Sequence, residues 1–452
     1  MRELEARLAE LEDRLRANSS NSSTAPSSDP LWAPRLSPKK PTGKKPGGQK
    51  GHRGHHRTLL PVEDVDEVVR HVPRACAHCR SALSPTTGDA LELRGRHQVA
   101  ELPPRAVVVT EHQSYACRCG RCGRVTTQPI PPPLRARCTG ERLDAALCYL
   151  SAFVHGSRRA VEEVAGELLG CPLSLGTVVT REAQMTAALA APYEQVQAHV
   201  RRAPAKNVDE TGWKRAGRWL WVAATPAAAL FRIDRGRNWH GLQNLLGELV
   251  RGTICSDRHG TYDRLKLSRR AVCWAHLKRD FQRWVDRGGD TAWLGDEGLS
   301  VTAEVCRLWR RHRAGRIKRP RLRRLLVPVK RRVRALLRRG VDCGVKKARF
   351  FCRNIAKVYD ALWTFARVEG IEPTNNEAER SLRHAVLYRL TSRGTDSEAG
   401  SRFVERILTV VATCRQQNIN VLDYLTRCYQ AHLDGQPAPS LLPAASAADQ
   451  AA

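Results

Sequence analysis

Met1, Leu4, Leu8, Leu11 and Leu15 recur at alternating spacings of three and four with Glu and Arg between them, which predicts a coiled-coil helix over residues 1–17. A seam of about two heptads is marginal alone in water, so it points to self-association or to packing on its own domain. The period then disappears. Residues 18–30 are rich in Ser, Asn and Pro, and residues 39–57 in Lys, Gly, Pro and His, so 18–60 reads as a disordered basic linker. After the prolines at 129–133 a helical period returns over 159–169 and 175–185, broken by Gly170-Cys-Pro-Leu-Ser174. Gly, Pro and an N-capping Ser suit a helix-turn-helix corner. From Lys206 the period falls to two, predicting strands over 206–211, 218–225 and 228–234 with turns at Ala216-Gly217 and Thr225-Pro226. A helix over 238–250, a strand over 253–256, a helix over 262–265 and a strand over 271–274 follow. Three strands and then alternating helix and strand describe a mixed sheet flanked by helices, in which the first strand can lie beside the fourth.

A chain of 452 residues exceeds one ordinary core, and the length prior is roughly two to four domains. The expected organisation is 1–17 coiled coil, 18–60 basic arm, 61–130 zinc module, 131–203 helical DNA-binding region and 204–395 α/β core with a basic helical insertion at about 285–350. A helical region over 396–435 and a disordered tail over 436–452 complete it. Lys+Arg 76 against Asp+Glu 45, a net charge of +31, favours a polyanionic partner through counterion release, which makes nucleic acid the default ligand. The absence of an apolar run of about 18 residues or of a cleavable leader argues against membrane and export, and for the cytoplasm.

Fifteen cysteines with one local cluster suit a reducing compartment and a metal site better than a disulfide framework. Cys76-Ala-His-Cys79 and Cys117-Arg-Cys119-Gly-Arg-Cys122 carry two C-x-x-C spacings, the pattern for one structural zinc ion held by four thiolates. Cys76, Cys79, Cys119 and Cys122 are the expected ligands, with Cys117 as an alternative to Cys119 and His78 as a further donor.

In so basic a chain three acidic segments stand out: Asn207-Val-Asp-Glu-Thr-Gly-Trp213, Ile254-Cys-Ser-Asp257 and Thr374-Asn-Asn-Glu-Ala-Glu-Arg380. Metal-dependent phosphoryl transfer needs a few carboxylates in one place. On a strand Asp209 and Glu210 face opposite ways. On a helix Glu377 and Glu379 point about 200° apart, so only one of them can face the other acids.

These phrases, together with Asn18-Ser-Ser-Asn-Ser-Ser-Thr24, Gly47-Gly-Gln-Lys-Gly-His52 and Cys273-Trp-Ala-His-Leu-Lys-Arg-Asp280, resemble in their order the transposases of the insertion sequence 66 family. The resemblance covers nearly the whole chain and departs from the family at the extra cysteine of Cys117-Arg-Cys119. It implies a ribonuclease-H-like core in which Asp209, Asp257 and Glu379 form an Asp-Asp-Glu triad holding two Mg²⁺ or Mn²⁺. It further implies cleavage at element ends and strand transfer in a bacterial, nucleoid-associated setting. Expected partners are the terminal repeats, target DNA, further copies of the chain and accessory proteins of the same element. A catalytically silent repressor and a nuclease that cuts without joining are the alternative functions.

Residues 307–349 hold 19 Lys/Arg and one acid, Asp342, with Arg alternating against Leu, Val and Trp309. Helices with a basic, DNA-clamping face are expected there. Lys44, Lys45 and Lys50 of the arm, Arg310, Arg311, Arg323 and Arg324 of the insertion, and Arg380 and Arg383 beside the third acid are the expected DNA contacts. Arg389, Arg393, His276 and Lys278 lie close enough in sequence to the acids to serve as further phosphate contacts.

Overall fold

The computed structural model describes residues 59–75, 77–82, 93–103, 106–122, 124–213, 217–392 and 394–442. The coiled coil of 1–17 and the arm lysines Lys44, Lys45 and Lys50 lie outside the described residues, as do Cys76 and Arg393. The chain divides into two compact units with the boundary at Val108 and Val109, inside the segment expected to form one zinc module. In the first unit an antiparallel bridge between Ala75 and Ala82 closes a turn carrying Cys79, and the Arg96 guanidinium and the Gln98 amide donate to the carbonyl of Leu60.

The second unit begins with a two-stranded ribbon, β1 (Ala116–Arg118) and β2 (Val125–Thr127). A helical layer follows: α1 (Glu141–Ala152), α2 (Arg158–Glu167), α3 (Leu175–Ala188) and α4 (Ala190–Arg202). The Ser157 and Ser174 side chains accept from the N–H groups of Ala160 and Thr177, satisfying orphan donors at the starts of α2 and α3. The α2–α3 corner is the one expected of a helix-turn-helix. α3 buries Val178, Met185 and Ala188, while Gly176, Val179, Thr180 and Ala183 remain on its exposed side.

The sheet has the order β5-β4-β3-β6-β7. β3 (Ala205–Trp213), β4 (Arg218–Ala224) and β5 (Ala229–Asp234) form an antiparallel meander, and β6 (Thr253–Ser256) and β7 (Arg270–Val272) add parallel to β3. The first strand thus lies beside the fourth. α5 (Trp239–Leu246) separates β5 from β6 and stops four residues short of the expected end, because Gly247 takes φ +91°, which a residue with a Cβ adopts at a cost. The segment expected as a helix at 262–265 is instead a 3₁₀ turn, Gly260–Arg264.

Beyond β7, α6 (Trp274–Arg287), α7 (Ala292–Arg313), α8 (Arg319–Asp342) and α9 (Lys346–Lys357) build the helical insertion. Gly298 lets α7 approach α6 so closely that a Cβ would fall 2.1 Å from the Phe281 ring. Alternation along β6 serves two cores: Ile254 belongs to one shared with α4, α5 and the C-terminal helices, and Cys255 to one shared with the insertion. α10 (Asn376–Ser392), α11 (Glu398–Gln416) and α12 (Val421–Leu433) end the fold. Part of the stretch expected as a disordered tail is anchored to the core: Leu441 is 1% exposed, and its N–H donates to Gln195 Oε1 (2.8 Å).

The sheet edge at β5 is closed by side chains. The N–H groups of Ala229, Phe231 and Ile233 donate to Thr413 Oγ1 (3.3 Å), Thr409 Oγ1 (3.0 Å) and Glu405 Oε1 (2.7 Å). Four helical residues rise about 6 Å and two strand residues about 6.8 Å, so Glu, Thr and Thr at every fourth position of α11 keep step with alternate strand amides. An open edge invites pairing with another chain; here three donors of that edge are satisfied. Replacing Thr409 and Thr413 together by Val, which keeps the shape and removes the acceptors, is expected to cost about 1–3 kcal/mol per orphaned amide. Urea unfolding checks it, and an unchanged midpoint would show that these bonds contribute nothing net.

Candidate functional site

Strand register brings the first two acids together. β3 pairs with β6 from Ala205↔Thr253 to Asn207↔Cys255; Asp209 lies two residues beyond that pairing and Asp257 directly follows β6, near enough for Asp257 to act on the Asp209 carboxyl. Glu210, one position on, is fully enclosed, and its carboxylate accepts from the Arg237 guanidinium (2.7 Å) and the Tyr262 hydroxyl (2.5 Å). Arg237 also reaches Asp257 (3.1 Å), whose other oxygen accepts from the His259 N–H (2.9 Å). One guanidinium therefore ties Glu210 to Asp257 and fixes the loop after β6.

The third acid is brought in by Asn375. This fully buried residue donates from Nδ2 to the Val208 carbonyl (2.9 Å), and its backbone N–H points at Cys273 Sγ (3.2 Å). Its own carbonyl accepts from the Glu379 N–H (3.1 Å). The first turn of α10 is thereby pinned to the strand carrying Asp209. Glu379 faces the strand acids, whereas Glu377 faces the other way, paired with Arg380 and in reach of Gln416.

The electrostatics record the crowding. Asp209 is held well above the usual carboxylate range, first by desolvation and then by Glu210, Glu379 and Asp257. Glu210 is also raised, by burial and by Asp257, against the pull of Arg237. His276 Nδ1 and the Arg279 guanidinium each lie 3.6 Å from Glu379 Oε1. Burial and Arg279 lower the His276 pKa, against the pull of Glu379 and Asp257. Cys273, His276 and Glu379 each present a donor atom within 4.8 Å of the other two. Spacing alone left His276 with no more than a phosphate role; the signal for this grouping was the C-x-x-H phrase at a helix start.

The other expected residues are spread out. Arg310, Arg311 and Arg324 are exposed on the insertion, as are Arg380, Arg383 and Lys278. Arg323 is committed: it donates to the carbonyls of Ala366 (3.1 Å) and Arg367 (3.4 Å). Arg389 is buried and donates to Thr211 Oγ1 and the Gly212 carbonyl (2.5 and 2.7 Å), pinning α10 to β3 rather than waiting for phosphate. The insertion's charge is also partly compensated from beyond 307–349, since Glu297, Glu304 and Glu372 pair with Arg339, Arg332 and Arg313.

Cys119 and Cys122 share the turn between β1 and β2, closed by the Cys119 N–H donating to the Arg124 carbonyl (2.8 Å). The N–H groups of Cys122 and Arg121 lower the Cys119 thiol pKa. Cys117 lies inside β1, facing Thr126 in the register. Among the described residues no helix is long and apolar enough to cross a membrane.

The model of the transposase IS66 family matches residues 141–402, more than half of the chain, and that of a family of unknown function matches residues 1–58. Two uncharacterised proteins of Sinorhizobium fredii, y4qI and y4hP, are similar to the chain. The first is 24% identical over 88% of this chain and 76% of its own length, the second 23% identical over 78% and 70%. No solved structure matches.

Proposed function

The chain belongs to the IS66 family of transposases, and from that premise we propose that it cuts DNA at the ends of its element and joins them to a target. Asp209, Asp257 and Glu379 are its catalytic carboxylates, in a ribonuclease-H-like core. The observation that carries the proposal is the convergence of these three acids, far apart in sequence, until Glu379 and Asp257 both raise the Asp209 pKa. An antiparallel meander extended by two parallel strands, with the meander's first strand central, supports that core.

The donor set fits divalent ions. Three carboxylates supply the hard oxygens that Mg²⁺ and Mn²⁺ prefer, and Glu379 Oε1 is buried without a hydrogen-bond partner; a dication relieves both the crowding and the orphaned oxygen. Two such ions supply, when bound, activation of the attacking hydroxyl and stabilisation of the leaving oxygen. The chain's own residues position the acids: Arg237 and the His259 N–H orient Asp257, and Asn375 sets the height of Glu379. Arg383 and Arg380 stand exposed on α10, suited to steering phosphates toward the site. Incubating the protein and Mg²⁺ with a labelled duplex carrying an end of its element tests the reading: nicked and joined strands are expected, nicks alone would leave a nuclease, and an intact duplex would leave a repressor.

Structural zinc at Cys76, Cys79, Cys119 and Cys122 belongs to the same proposal, supported by the turn that presents Cys119 and Cys122 together. About one such zinc per chain is expected, and Cys122→Ser should unfold its module while the core melts as before, because structural zinc supplies folding free energy. Cysteines oxidised to disulfides with no bound metal would refute it.

The exposed arginines of the insertion are assigned to sequence-independent DNA affinity, and the N-terminal region from the arm through α3 to preference for element ends. Changing Arg310, Arg311 and Arg324 to Gln should flatten the slope of log affinity against log salt by up to about 0.9 for each phosphate no longer neutralised. Discrimination between element end and random duplex should barely move. Poor discrimination with an unchanged slope would mean that the insertion reads bases.

A further inference from the structure

Cys273, the residue before α6, and His276 in its first turn converge with Glu379 on α10. Three different ligand types therefore meet with their donor atoms all within 4.8 Å. Two of those atoms, His276 Nδ1 and Glu379 Oε1, are buried without a hydrogen-bond partner and lie 3.6 Å apart. A tetrahedral zinc site with metal–N and metal–O distances of about 2.0–2.1 Å separates its N and O donors by about 3.4 Å, close to what is found. Buried polar atoms normally have partners; here two of the three donors have none, and the Cys273 sulfur lies within 4.8 Å of both. We propose that Cys273, His276 and Glu379 form a binding site for a borderline transition-metal ion such as Zn²⁺ or Co²⁺, distinct from the all-oxygen acid cluster and sharing Glu379 with it.

Donor chemistry separates the two sites. Thiolate and imidazole select zinc-like ions, whereas Asp209 and Asp257 offer only the hard oxygens that suit Mg²⁺. Binding replaces the proton of the Cys273 thiol, which is released to solvent, so affinity rises with pH. Arg279, 3.6 Å from Glu379 Oε1, is the competing cation and must swing aside for the ion to enter. One Glu379 carboxylate serves both sets, so an ion held by Cys273 and His276 withdraws it from Asp209 and Asp257. On the function proposed above, Zn²⁺ here is then an inhibitor of Mg²⁺-dependent cleavage; that consequence rests on the proposed function, and the site itself does not.

The test is a Co²⁺ titration of the full chain followed by absorption spectroscopy, which reads binding without activity. Wild type should take up one equivalent more than Cys273→Ser, and the difference spectrum should contain a thiolate-to-cobalt charge-transfer band. His276→Gln, at a partly exposed position that keeps the fold, should weaken that equivalent by about tenfold or more, and Arg279→Gln should tighten it. Thiolates of the 119–122 turn contribute equally to all these proteins and cancel in the difference. Identical stoichiometry and spectra in wild type, Cys273→Ser and His276→Gln would overturn the site. Loss of cleavage in Glu379→Gln with an unaltered cobalt difference would overturn it too, while leaving the proposed catalytic role intact.

Discussion

Asp209→Asn, Asp257→Asn and Glu379→Gln are each expected to lower strand cleavage by at least about 10²–10³-fold while binding to element ends stays largely intact. Each removes charge stabilisation from the transition state, and none touches the exposed arginines that hold phosphates. Glu377→Gln should retain cleavage, because Glu377 faces Gln416 and Arg380, away from the strand acids. The reverse pattern, an inactive Glu377→Gln beside an active Glu379→Gln, would show that the wrong acid has been assigned. Stability supplies a second readout with opposite sign. The folded-state pKa of Asp209 is raised, so folding favours its protonated form. Stability is therefore lost as pH rises from the unfolded value, about 3.9, through the folded one. Asp209→Asn should then melt above wild type at neutral pH, with the gap closing near about pH 4. Mg²⁺ should raise the melting temperature of wild type more than that of the variant. A variant less stable than wild type at neutral pH would mean that the carboxylate is not strained.

Asn375→Asp is expected to be nearly as damaging as loss of an acid, though Asn375 carries no chemistry of its own. The change turns the Nδ2 donor that holds the Val208 carbonyl into an acceptor and places a further charge in a buried site beside Asp209. An uncompensated buried charge costs about 3–5 kcal/mol. α10 would lift from β3, and a displacement of about 1 Å at a catalytic group is worth roughly 10² in rate. Asn375→Ala, which removes the bond without adding charge, should lose cleavage with a smaller drop in melting temperature. Wild-type cleavage in Asn375→Ala would exclude a positioning role.

Much of the architecture was legible in the sequence because it is local. The period-two runs become β3, β4 and β5, Ser174 caps α3 by accepting from Thr177, and the order of elements allows the first strand to lie beside the fourth, as it does. Resemblance in ordered phrases then singled out Asp209, Asp257 and Glu379. Local signals misjudged the reach of elements. The helix after Asn238 ends early at Gly247, and residues 436–442 read as part of a disordered tail although Leu441 finds a buried seat against α4.

What the sequence by itself determined is the menu: strand and helix periods, caps, an excess of cations, and three acidic phrases of which two contained a choice between neighbours. Only the tertiary structure decided among them, because each decision depends on groups brought from far along the chain. Glu379 rather than Glu377 faces Asp209 because Asn375 is bonded to Val208. Glu210 stays close to Asp209 and Asp257, but its two oxygens are already taken by Arg237 and Tyr262. Arg323, exposed like its neighbours, and the buried Arg389 both donate to backbone carbonyls, and Glu405, Thr409 and Thr413 become the cover of a sheet edge. A side chain's period is set by its own backbone; its partner is set by packing across the core.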